Sequence, residues 1–271
     1  MNPSELAESL SLFRSYWSFS ARHQRAGEVF EMPGGVGIAN GNISWALLNT
    51  AFLTEPPTGG AAAWGDRVRR IRDYFRGHGR SWMLAACTDW LTEEDRAALG
   101  REGLKHGMSV TGMVAERLLP TKQPLPVEGK EIEYRRIGDE ATRQAVADIN
   151  AQCYHVPIEW GRESISVPGA WTGEHFGYVG YVDNRPATTA TALLLDGLLY
   201  VALVATLPEY RRRGLAEAVM RKALTEAGRA HGVERTVLHA SDMGFPVYRD
   251  MGYRTVRKFD LYGEAEAGAG G

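Results

Sequence analysis

The chain has 271 residues, 44% apolar and 24% charged, with a formal net charge of −2. That length suits two domains, the composition is globular, and the near-neutral charge argues against a general nucleic-acid-binding surface. Two cysteines, Cys87 and Cys153, stand far apart and read as free thiols. No Cys or His spacing suggests a metal site, and no apolar run approaches the ~18 residues of a membrane span. A cytoplasmic protein with no nucleic-acid, membrane or metal partner is expected.

The N-terminal half begins with an amphipathic helix over Ser4 to Ser20, opened by Asn2-Pro3. Val29 to Ala39 and Ile43 to Thr54 read as strands joined by Asn40-Gly41-Asn42. Ala61 to Arg76 is helical, Trp82 to Cys87 a strand, Thr92 to His106 helical and Met108 to Arg117 a strand. The run from Leu119 to Lys130 holds three prolines and reads as an extended linker. It suggests domains over 1–119 and 131–262, with a linker at 120–130. The tail 263–271 has no apolar side chain larger than alanine and is expected to be disordered.

The C-terminal half opens with a short strand, Glu131 to Arg136. A helix follows over Asp139 to Tyr154, with Ala145, Ile149 and Cys153 on one face. Pro157 to Gly173 is a loop or short helix. His175 to Asp183 and Pro186 to Leu195 form a hairpin through Asp183-Asn184-Arg185. The strand Leu198 to Ala205 ends at Pro208, a basic glycine turn follows, and Leu215 to Ala227 is an uninterrupted helix. A strand from Arg235 to Ala240, a short segment ending at Tyr253 and a strand from Thr255 to Tyr262 complete the chain.

The turn carries the chemistry. The first N–H groups of a helix have no internal partner, and the helix dipole favours an anion there. Gly214 and Ala216 leave room for a phosphate to approach the backbone, and Arg211, Arg212 and Arg213 add charge-assisted donors. The pattern is neither a Walker loop nor a dinucleotide fingerprint. Taken alone, it also fits a solvated basic helix start.

Arg211-x-x-Gly214-x-Ala216 resembles the Gln/Arg-x-x-Gly-x-Gly/Ala signature of the GCN5-related N-acetyltransferases. Pro208-Glu-Tyr-Arg211 before it and Tyr248-x-x-x-Gly252-Tyr253 after it extend the resemblance over roughly 130–262. The resemblance implies the acyl-CoA N-acyltransferase fold: an α/β (α+β) architecture with a mixed, mostly antiparallel sheet and helices on both faces. It implies that acetyl-CoA binds with its pyrophosphate on Arg211, Arg212, Arg213, Gly214, Leu215, Ala216 and Glu217. The backbone of Val204, Ala205 and Thr206 would hold the pantetheine and thioester. Leu215 is expected to point inward as core, and Glu217 to contribute backbone only. Tyr248 takes the place of the general acid, a phenol protonated at pH 7 with an ordinary pKa near 10. Ser241 stands where the family usually has an asparagine touching the cofactor, which leaves that contact open.

No general base is evident; Glu159, Glu163, His175 and His239 are conceivable. Tyr154, Trp160 and Trp171 fall in the segment that covers the acceptor in this family, and serve equally as ordinary core. Leu48 to Pro56 and Tyr200 to Pro208 share a rhythm: a strand ending at proline, then helix, strand, helix, strand. This suggests an internal duplication in which the N-terminal copy, with Thr58-Gly-Gly-Ala-Ala-Ala-Trp64, is degenerate. The expected activity is acetyl transfer from acetyl-CoA to the primary amine of a small molecule, by direct attack in a ternary complex. A peptide N-terminus is the next choice of acceptor, and an acetyl-CoA-binding regulatory protein without turnover is the rival. Monomer and homodimer both remain open.

Overall fold

The computed structural model describes residues 3–264. The chain divides into two compact units, one of residues up to Tyr16 with Gly112–Val256, the other of Trp17–Thr111 with Arg257 onward. They are called here the C-terminal and N-terminal units. The division is not a single cut in the 120–130 segment. The first helix serves largely the C-terminal unit, and the last strand serves largely the N-terminal one.

The N-terminal unit contains β1 (Glu28–Met32), β2 (Val36–Asn40), β3 (Asn49–Leu53), α2 (Ala62–Gly77), β4 (Met83–Cys87), α3 (Glu93–Arg101) and the start of β5 (Leu104–Ala115). It also takes most of β11 (Arg254–Glu264), which pairs antiparallel with β4, Phe259 facing Cys87. β1–β2 and β2–β3 are antiparallel, whereas β3 and β4 are parallel, with α2 as the crossover. Trp64, Val68, Ile71 and Phe75 of α2 fall at helical spacing and are fully buried against Ile38, Leu53 and Leu84. Each such side chain contributes about 1.5–3 kcal/mol by leaving water.

The C-terminal unit contains most of α1 (Pro3–Arg22), the end of β5, β6 (Glu133–Arg136), α4 (Glu140–Cys153), α5 (Ile158–Ile165), β7 (His175–Val182), β8 (Arg185–Leu195), β9 (Leu198–Thr206), α6 (Leu215–His231), β10 (Thr236–Ala240) and α7 (Phe245–Asp250). Its strand order is β5-β10-β9-β8-β7-β6. β6–β7, β7–β8 and β8–β9 are antiparallel, and β9–β10 are parallel with α6 as crossover. Ala218, Val219, Met220, Ala223, Leu224 and Ala227 form the buried stripe of α6, packed on Leu199, Val201, Leu238 and Ala192. Gly232, at φ 69°, ends the helix in a left-handed cap, its N–H bonded to Gly228 at 2.8 Å.

α1 docks on this unit through named contacts. Leu12 and Phe13 are buried. Glu8 accepts from Arg235 at 2.7 Å, and Glu5 holds Arg254. Ser11 and Ser15, one turn apart, both donate to Asp196 in the β8–β9 turn, at 2.9 and 2.8 Å. β3-α2-β4 thus repeats β9-α6-β10, each with a parallel strand pair, as the expected duplication requires.

Several local expectations change. The run Val29 to Ala39 is a hairpin, broken at Pro33-Gly34-Gly35, where both glycines have positive φ. Only Asn49–Leu53 of the Ile43 to Thr54 run is strand. The helix expected to reach His106 stops at Arg101, and Gly103, at φ 81°, turns the chain into β5. Part of the Pro157 to Gly173 segment is helical, as α5. Gly263 and Glu264 of the tail belong to β11, and 265–271 lie outside the described residues.

Candidate functional site

The site begins where two parallel strands stop pairing. β9 and β10 face each other at Leu199/Thr236, Tyr200/Val237 and Val201/Leu238, and at no later residue. Both strands continue, β9 to Thr206 and β10 to Ala240. Beyond Val201 the β9 edge toward β10 therefore has no facing strand residue, leaving a fork.

β9 is also bulged along this stretch. Thr189 faces Ala205 and Thr191 faces Ala202, so Leu203 and Val204 together stand opposite Ala190. Leu203 has φ 50°, a left-handed conformation costly for a branched side chain. Three buried threonines of β8 hold the bulge by donating to its carbonyls: Thr191 to Ala202 at 2.9 Å, Thr189 to Leu203 at 2.7 Å and Thr188 to Ala205 at 2.9 Å. Sequence reasoning passed over these threonines, because threonine in a strand reads as a strand former.

The turn after β9 prepares the start of α6. Gly214 sits at φ 71° as the residue capping the helix, and Arg212 at φ 60°. Leu215 points inward onto Ile132, Val182 and Ala187. The N–H groups of Leu215, Ala216 and Glu217 open a helix of 17 residues without earlier carbonyls to receive them. Glu217 pairs with Arg221 at 2.8 Å.

The three arginines have different roles. Arg211 turns back onto the protein, its Nε donating to the Thr206 carbonyl at 3.0 Å and its Nη2 lying 3.9 Å from Cys153 Sγ. Arg213 lies over the Tyr210 ring at 5.8 Å. Arg212 and Arg213 are exposed. A Cβ on Gly214 would meet Leu125 at 3.4 Å and Pro126 at 3.5 Å, so the proline-rich segment runs against this turn.

Tyr248, on α7, is buried, and burial pushes its phenol pKa up, which keeps it protonated. Its ring packs back on the turn before α7, with Cε2 2.8 Å from where a Gly244 Cβ would stand. The phenols of Tyr154, Tyr200 and Tyr248 lie within electrostatic range of one another. Ser241 accepts from the Gly244 N–H through its hydroxyl at 3.4 Å and through its carbonyl at 3.1 Å. Its observed bonds thus shape the entry to α7.

Of the conceivable bases, the two histidines are engaged by neighbouring groups. His239, the first β10 residue past the last facing pair, is spanned by Ser9 Oγ at 3.2 Å on Nε2 and Tyr200 Oη at 3.0 Å on Nδ1. It stacks on Phe13 at 4.2 Å. The residue keeps slight exposure, but its ring is enclosed, and this desolvation lowers its pKa to about 3. His175 stacks on Trp171 at 4.4 Å and bonds the Ala170 carbonyl. Glu159 and Glu163 are exposed on α5. Among the described residues no group of three or more His, Cys, Asp or Glu is placed to hold a metal, and no helix is long and apolar enough to cross a membrane.

Comparison with known proteins fits this geometry. Residues 197–256, which run from the start of β9 into β11, match the family model of an acetyltransferase (GNAT) domain. No curated protein matches the chain. Among solved structures, a GCN5-related N-acetyltransferase from Kribbella flavida is similar at TM-score 0.69 and 19% identity, covering 97% of this chain and 96% of that one. One from Sphaerobacter thermophilus gives TM-score 0.59 and 12% identity, covering 95% and 92%. A tandem GNAT protein from the clavulanic acid biosynthesis pathway gives TM-score 0.58 and 12% identity, covering 99% and 95%. The family match lies within the C-terminal unit, and the chain as a whole shares the fold of GCN5-related N-acetyltransferases, a tandem one among them.

Proposed function

We propose that this chain transfers an acetyl group from acetyl-CoA to the primary amine of a small molecule, in its C-terminal unit. The observation that carries the reading is the fork: β9 and β10 part after Val201 and Leu238, and β9 leads directly to the free N–H groups of α6. A pyrophosphate fits that helix start, where Gly214 brings no side chain and the dipole favours negative charge. Arg212 and Arg213 are free to add charge, whereas Arg211 braces the turn through Thr206.

When bound, acetyl-CoA supplies an activated acetyl thioester. The bulge at Leu203 and Val204 turns β9 backbone groups away from the regular ladder, which makes them candidates to polarise the thioester carbonyl. Tyr248 Oη carries a proton throughout the neutral range and is the group assigned to protonate the departing thiolate. Exposed Tyr154 and Trp160, beside the α4–α5 junction, offer aromatic walls to a small acceptor.

The rival reading, an acetyl-CoA-binding regulator without turnover, draws on two observations. Residues 200–206 carry no carboxylate, and His239 is committed to Ser9 and Tyr200. The test is an acetylation assay with a panel of small amines and peptide N-termini, run beside calorimetry of acetyl-CoA binding. Acetylated small amine supports the proposal, acetylated peptide alone redirects the acceptor, and binding without transfer favours the regulator.

A further inference from the structure

The N-terminal unit has two guanidiniums that its own fold does not fully use. Arg67 is only 4% exposed, yet its Nη1 is buried with no hydrogen-bond partner among the described residues. Its Nε donates to the Gly34 carbonyl at 3.3 Å, and its plane lies over the Trp64 ring at 4.7 Å. Arg70 stands one turn further along α2 and reaches the same place. The position a Gly34 Cβ would take lies 3.4 Å from Arg70 Nη2, 3.8 Å from Arg67 Nε and 4.0 Å from Arg67 Nη2. Gly34 has φ 88°, so this turn resists a side chain for conformational reasons as well.

This arrangement is costly without a ligand. Like charges three residues apart on a helix repel, and a buried donor left without a partner is destabilising, more so when charged. Burial, then Arg70, both push the Arg67 pKa down. The nearby carboxylates offset this only in part. Asp66 lies 3.1 Å from Arg70 Nε, Asp95 is taken by Trp64 Nε1 at 2.8 Å and by Thr92, and exposed Glu55 lies against Gly35.

We propose that Arg67, Arg70 and the Gly34 turn form a second anion site, in the N-terminal unit, that takes a phosphate group. Two guanidinium forks converging from one helix match an anion with three terminal oxygens better than a carboxylate with two. The stack on Trp64 fixes the Arg67 plane in advance, so little side-chain entropy is lost on binding. The site is separate from the α6 turn and does not depend on acetyl transfer.

The experiment is thermal unfolding of the full chain in inorganic phosphate, with glycerol 3-phosphate, acetate and chloride as parallel arms at matched ionic strength. It is run in a Gly214→Glu background so that the α6 turn does not contribute. A ligand that binds only the folded state raises Tm in a saturable way. The expected result is a saturable rise of a few degrees with phosphate, absent in acetate and chloride, and lost in Arg67→Gln and in Arg70→Gln. A larger rise with glycerol 3-phosphate marks a phosphomonoester as the ligand, and a smaller one marks free phosphate. Arg70 is partly exposed, so Arg70→Gln carries the test even if Arg67→Gln does not fold. No phosphate-specific rise, an equal rise with acetate, or a rise that survives Arg70→Gln would overturn the proposal.

Discussion

Thr189 donates its hydroxyl to the carbonyl of Leu203 at 2.7 Å, and Leu203 is the β9 residue held at positive φ. A fully buried side chain on one strand thus holds the bulge that interrupts regular pairing on the next. Thr189→Val removes the donor, keeps the shape, and also strips a bond from Asn150 Nδ2 at 3.2 Å. Stability is expected to fall by about 1–3 kcal/mol, read by chemical denaturation, because a buried carbonyl loses its partner. Acetyl-CoA affinity is expected to fall as well, by calorimetry. An unchanged midpoint would show that the bulge holds itself.

Gly214 separates two effects. Gly214→Ala places a Cβ at 3.4–3.5 Å from Leu125 and Pro126, ordinary contact, but on a left-handed backbone. A stability loss of about 1–2 kcal/mol is expected, with cofactor affinity altered modestly. Gly214→Glu adds a charge at the helix start and is expected to abolish acetyl-CoA binding with circular dichroism unchanged. Equal affinity in both variants would remove the turn from the site.

Tyr248→Phe is expected to lower kcat by about 10²–10⁴, the range for a lost general acid. Stability should persist, since the ring and its packing against the turn before α7 remain. The loss should shrink with an acyl donor whose leaving thiol is more acidic. Single-turnover measurement separates the chemical step from product release. A fully active variant would leave the ring a packing role only.

His239 gives the fold a pH dependence with a definite sign. Its folded pKa is lowered to about 3, against about 6.5 in an unfolded chain. Between those values the unfolded state binds the extra proton, so stability is whole above pH 6.5 and declines as pH falls toward 3. The slope approaches about 1.4 kcal/mol per pH unit below pH 6.5. His239→Gln should flatten that slope over pH 5–6.5, above the main range of the carboxylates. Parallel slopes in the two proteins would place the imidazole in water.

Much of this was legible in the chain because local patterns dictate it. The strand–turn–helix from Leu198 to Ala227 declares itself through an apolar run, a proline stop and a glycine at a left-handed position. The repeat of that unit around Pro56 was equally visible. The hairpin inside Val29 to Ala39 was missed because its residues are strand formers on both sides of Pro33-Gly34-Gly35, though that triplet was the available signal. The placement of α1 in the C-terminal unit and of β11 in the N-terminal one was not legible. It rests on long-range pairings such as Glu8–Arg235 and Phe259/Cys87, which no local periodicity encodes. The role of Thr188, Thr189 and Thr191 was hidden for the same reason, since the carbonyls they hold lie on the neighbouring strand. Ser241 and Arg211 show the limit of reading by position: both stand where the signature places them, and both bond their own chain.

The most direct measurement incubates the full-length protein with acetyl-CoA and a panel of small primary amines. Free thiol and acetylated amine are quantified together, with Gly214→Glu as the paired control. The account predicts thiol and acetylated amine in equal amounts for the native protein and neither above background for the variant. Transfer that survives Gly214→Glu, or native protein that binds acetyl-CoA and acetylates no amine, would contradict it.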